Sequence, residues 1–99
     1  MGGAGYSRAD LLEFNEVQLG AMIEIIEDVR DKMVVSKSSY DDYITNSLAP
    51  GWTTENGLKT VSDLRIFSNE NIQQFITYID NRIMELKSVL EEVKRINVA

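Results

Sequence analysis

The sequence predicts an all-α fold: an antiparallel two-helix hairpin that dimerises into a four-helix bundle. Three observations lead there. Apolar residues recur at helical spacing through both halves of the chain. The only proline and the only tryptophan fall together at mid-chain, in Pro50-Gly51-Trp52-Thr53-Thr54-Glu55-Asn56-Gly57. No stretch of useful length alternates with the two-residue period of a strand.

Composition narrows the class. Ninety-nine residues suit one domain, and 43% apolar content is enough for a core. A net charge of −6 with no histidine counts against nucleic acid, which needs a basic footprint, and against an anionic membrane surface. Without cysteine there is no disulfide or thiolate site. No apolar run approaches the ~18–20 residues of a membrane span. The N-terminus lacks the basic and apolar regions of a cleavable signal peptide. Residues 1–6 read as a flexible tail, and residues 7–97 as one helical-hairpin domain.

The first helix is expected over about residues 7–47, on the order of 60 Å at the helical rise. Ser7-Arg8-Ala9-Asp10 resembles a capping box, and Asp10, Glu13 and Glu16 suit the positive end of the dipole. Leu12, Leu19, Met22, Ile26, Met33 and Tyr40 follow steps of seven, three and four. Leu11, Ile23, Val29, Val34, Ile44 and Leu48 fall beside them, making an apolar arc of roughly 140°. Ile25 and Tyr43 widen it. Asp28 and Lys32 form an i,i+4 pair on the polar face. Gly20 costs about 1 kcal/mol against alanine in mid-helix, and close approach of a second helix would account for it.

The turn is expected over residues 48–57. Pro50 fixes φ and biases Ala49 away from the helical region, while Gly51 and Gly57 supply freedom of φ. Trp52 has two compatible readings. It caps the hydrophobic seam, or it is a recognition knob, since tryptophan is enriched at binding hot spots.

The second helix is expected over about residues 54–97. Ile72, Ile76, Ile79, Ile83, Leu86, Leu90 and Val93 alternate steps of four and three without a miss, with Phe75, Val89 and Ile96 beside them. Leu58 and Val61 project onto the same face. Ile66 and Phe67 fall off it, and Ser68-Asn69-Glu70-Asn71 resembles a fresh N-cap. We favour one helix kinked near residue 68 over a short helix followed by a longer one. Glu91 and Arg95 are spaced for an i,i+4 pair.

Broad arcs on both helices leave apolar surface that one hairpin cannot cover, which points to a partner hairpin, identical or related. Catalysis is not expected. Without histidine and cysteine there is no histidine-based triad, thiol nucleophile or ordinary zinc site, and the chain has no glycine-rich phosphate loop. No catalytic, cofactor-binding or metal residue is assigned, and no cofactor. Asp41-Asp42 and Glu91-Glu92 read as solvated helix faces. Met22, Met33 and Met84 read as core fillers.

An acidic chain of this length, with two long helices around a tryptophan–glycine turn, resembles the WXG family of small type VII secretion substrates. The likeness spans about residues 7–97. The family carries Trp-Xaa-Gly, whereas Trp52-Thr53-Thr54 has threonine at the glycine position, with Gly51 and Gly57 nearby. Many members carry a Tyr-x-x-x-Asp/Glu export signal; here Tyr78 is followed four residues later by Arg82. The resemblance implies homo- or heterodimerisation, no catalytic residues, and export from a Gram-positive or mycobacterial cell without a cleavable signal. It also implies a larger effector and the secretion ATPase as partners. Trp52 carries over from the motif, with Gly57 as a looser match. The seam residues Ile72, Ile76, Ile79, Ile83, Leu86 and Leu90 complete the expected partner-binding set. The rival expectation is a cytoplasmic coiled-coil adaptor or chaperone with no export role.

Overall fold

The computed structural model of the protein describes Ser7 and residues 15–98. The tail over residues 1–6, most of the expected capping box, and seam positions Leu11 and Leu12 lie outside the described residues. The fold is an all-α helical hairpin, with no strand among the described residues. Helix α1 spans Glu16–Tyr43 and passes into a π-helical segment, Ile44–Leu48, and one further helical turn, Ala49–Gly51. After the turn, α2 spans Glu55–Ile66, a second π-helical segment spans Phe67–Ile72, and α3 spans Gln73–Val98.

The first described helix begins at Glu16, and the start expected near Ser7 falls on residues outside the described ones. Asn15 is its cap: the Val17 and Gln18 amides donate to Asn15 Oδ1 at 2.9 and 3.1 Å. A short amide side chain that satisfies two otherwise orphaned N–H groups favours a helix start there.

The turn is also shorter than expected. Helix continues through Gly51, leaving Trp52–Thr54 as the bend. Ala49 is helical, with φ −61° and ψ −47°, against the expected bias before proline. The π segment supplies the reason. The Ala49 amide donates to the Ile44 carbonyl, five residues back. Widening the ladder just ahead of Pro50 relieves the clash its ring makes with the preceding helical turn. Gly51 is helical and Gly57 lies within α2, so neither glycine contributes a positive φ.

The chain divides into two compact units. The central unit is Asp31–Tyr78, and the terminal unit is made of the residues before and after it. In the terminal unit Ile23, Ile79, Ile83, Val89 and Val93 are buried, Val89 and Val93 completely. Leu86 and Leu90 are half-buried. A straight α-helix rotates about 20° per heptad against a seven-residue repeat, which moves burial toward Val89 in the later turns. Ion pairs join α1 to α3. Arg30 Nε lies 2.7 Å from Asp80 Oδ1, and Lys87 Nζ lies 2.9 Å from Glu27 Oε2. Arg95 pairs with Glu92 at 2.9 Å rather than with the expected Glu91, which lies 3.8 Å from Lys94.

The central unit buries Ile44, Val61 and Ile76, together with Gly57 and Ser68. Other expected core positions lie in solvent. Met22 and Met84 are exposed, and Leu58 is exposed where Val61 is buried. Each helix buries a stripe narrower than its apolar arc, so the flanks of the arc stay wet. Close approach does not account for Gly20, since no described atom lies within 4 Å of where its Cβ would be. No helix of the described residues is long and apolar enough to cross a membrane.

Candidate partner-binding site at the turn

The site is assembled by the second helix's start. Thr54 is its N-cap, with φ −66° and ψ 165°, and the Gly57 amide donates to Thr54 Oγ1 at 3.2 Å. The Leu58 amide donates to the Thr54 carbonyl at 2.8 Å. These bonds fix where the first turn of α2 begins relative to Trp52. The indole then lies directly over Gly57. A Cβ on Gly57 would fall 2.6 Å from both Cγ and Cδ1 of Trp52, and closer still to the Trp52 carbonyl oxygen. Glycine at position 57 is therefore required for space.

Trp52 remains 38% exposed. One side of the ring packs on backbone that no larger residue would permit, and part of the residue stays in water. A rigid aromatic held this way loses little conformational freedom on meeting a partner.

The other expected partner-binding residues lie elsewhere. Ile76, Ile79 and Ile83 are buried within the chain, while Ile72, Leu86 and Leu90 are half-buried. The structure brings Trp52 and Gly57 together and leaves those six on the helix seam. Ile66 and Phe67, which fall off the seam in sequence, are exposed, as are Phe75 and Tyr78.

A polar cluster beside the second π segment corrects the expectation that Asp41 lies on a solvated face; only Asp42 of that pair is exposed. Ser68 is fully buried, and its hydroxyl donates to Asp41 Oδ1. Lys37 Nζ donates to Asp41 Oδ2 at 2.9 Å. Tyr40 donates to the Leu64 carbonyl at 3.0 Å, and Arg65 to Thr45 Oγ1 at 3.2 Å. The Lys37 hydrogen bond, then that of Ser68, holds the Asp41 carboxyl below its ordinary value against an opposing effect of burial; the charges of Lys37 and Arg65 add to it. The one available signal was the seam-breaking pair Ile66 and Phe67 with the N-cap-like Ser68 after it, which marks the π segment but not its bond to Asp41.

Among the described residues no three carboxylates converge on a site able to hold a metal ion. The surface depression at Asp31, Lys32, Val35 and Ser36 is lined by one helix and open to solvent. No family model, no curated protein and no solved structure matches the chain.

Proposed function

We propose that the chain is a small protein-binding hairpin of a type VII secretion system, either exported as a substrate or escorting a larger effector. The observation that carries the reading is the partly exposed Trp52 held against Gly57 at the turn. Tryptophan in such a setting is a hot-spot residue, able to contribute ≥ ~2 kcal/mol to an interface. The resemblance to WXG proteins supplies the secretory context, and the many exposed apolar residues supply surface for a companion. Those same residues would serve a cytoplasmic coiled-coil adaptor or chaperone, and export separates the two.

Trp52→Ala tests it in a paired measurement of the melting curve and the level in culture supernatant. The expected outcome is a modest loss of stability with a clear export defect. A large drop in melting temperature with export of the folded remainder unchanged overturns the knob. Capture of tagged protein from the native cell, read by mass spectrometry, identifies the companion as a second copy, a paralogue or a large effector.

A further inference from the structure

We propose that Asn56 is a site of covalent self-modification: its side-chain amide is attacked by the Gly57 nitrogen, and the Thr54 cap controls the rate. Of the asparagines in the chain, only Asn56 is followed by glycine. Glycine favours the attack because it places no side chain in the path of the approach. The Gly57 nitrogen bonds to Asn56 Cγ, the Cγ–Nδ2 bond breaks, and ammonia leaves with the Gly57 amide proton. Water then opens the cyclic imide at one of its two carbonyls. Opening at Cγ gives aspartate. Opening at the Asn56 backbone carbonyl gives isoaspartate, with the chain rerouted through Cβ and Cγ. Asn56 is exposed, so water reaches it.

The closed fold withholds the nucleophile. Asn56 lies in the first turn of α2, and ring closure needs the Gly57 nitrogen nearly eclipsed with Asn56 Cβ, which helical ψ does not give. The Gly57 N–H that must lose its proton is donated to Thr54 Oγ1 at 3.2 Å. Both restraints end when that turn opens, and helix termini open locally at far lower cost than the whole fold. Thr54 opposes the opening, since its hydroxyl and carbonyl hold the Gly57 and Leu58 amides. The two products then act differently on the turn. Aspartate leaves the backbone unchanged and puts a negative charge at the positive end of the helix. Isoaspartate adds a backbone atom directly before Gly57, where even a Cβ has no room against Trp52. It moves Gly57 from under the indole and unseats the aromatic, so the turn carries a chemical lifetime.

The test ages the full chain in mildly alkaline buffer and maps it by peptide mass spectrometry, which reads ammonia replaced by water at each asparagine. Asn56 should convert, with isoaspartate among the products, while exposed Asn46, followed by Ser47 in the same unit, lags behind. Thr54→Ala should raise the rate at Asn56 about fivefold, the factor by which loss of an N-cap favours opening. Thr54→Ser should restore the parent rate. Ile79→Ala, which truncates the core of the terminal unit and keeps the cap, should leave the rate unchanged. Fluorescence of Trp52, the only tryptophan, should shift as isoaspartate accumulates and keep the parent spectrum in Asn56→Asp. Conversion at the rate of the chain unfolded in guanidinium overturns the cap's control, as does equal acceleration by Thr54→Ala and Ile79→Ala. An Asn56 that stays intact in Thr54→Ala overturns the site itself. The proposal goes beyond the binding reading, and no partner or export enters these readouts, so the two fail separately.

Discussion

In the terminal unit the helices are regular, and α1 is joined to α3 by the ion pairs Arg30–Asp80 and Glu27–Lys87. The central unit contains both π segments and the turn, and the bonds across its hairpin include three through hydroxyls: Tyr40 to the Leu64 carbonyl, Ser68 to Asp41, Arg65 to Thr45. A regular helix satisfies its own carbonyls, and long charged side chains can then pair at its wet edges. A π segment changes the ladder and re-aims side chains, and Ser68 and Thr45, which lie in the two π segments, both bond across the hairpin. Ser68 illustrates the consequence. Its hydroxyl is removed from water entirely and stays affordable because Asp41 accepts from it. Both units bury aliphatic residues and hold ion pairs, and the central one adds a buried hydroxyl bonded to a carboxylate.

The sharpest test of that contrast truncates the apolar core on both sides. Ile79→Ala in the terminal unit and Ile76→Ala in the central unit each remove a buried side chain, with an expected cost of ~2–5 kcal/mol in urea unfolding. If Ile76→Ala costs under about 1 kcal/mol, the central unit depends on its polar bonds more than on its core. Gly57→Ala comes next, at ~1–3 kcal/mol, because the added methyl meets Trp52 and its backbone. Trp52 is the only tryptophan, so its fluorescence should shift in the same variant.

Ser68→Ala should cost ~1–2 kcal/mol through loss of the bond to Asp41. Acid titration isolates the same cluster. The native Asp41 carboxyl lies below its ordinary value, so its contribution is complete above that value and is lost as pH falls through the lowered native one. The stability gap between the parent and Asp41→Asn should therefore be constant near neutrality and close only at acid pH. A gap that closes above about pH 5, well over the ordinary aspartate value, contradicts the assignment. The smallest effect is a gain. Gly20→Ala meets no described atom within 4 Å and should stabilise by about 1 kcal/mol, measured as a raised melting temperature. A loss there would mean that α1 needs its glycine after all.

Several features were legible in the residues because they are local. The four–three alternation from Ile72 to Val93 marked a helix, and Pro50 with Trp52 marked the turn between two of them. Ile66 and Phe67 fell off the seam, and a π segment begins at Phe67. Other features were hidden because they depend on what a residue meets across space. Periodicity assigned Met22 and Met84 to the apolar arc but could not say how wide a stripe the facing helix would cover. The π segment before Pro50 left no periodic trace over five residues.

The sequence by itself determined that the chain is helical, where it turns, and that it is acidic and without histidine or cysteine chemistry, because propensity, spacing and charge reside in the residues. Only the tertiary structure decided why Gly57 is glycine and why Ser68 can be buried. The first follows from an indole five residues away folded over the backbone, the second from a carboxylate on the other side of the turn. Both are contacts between groups that no local pattern connects. Steric fit and hydrogen-bond satisfaction are settled only when the chain has closed on itself.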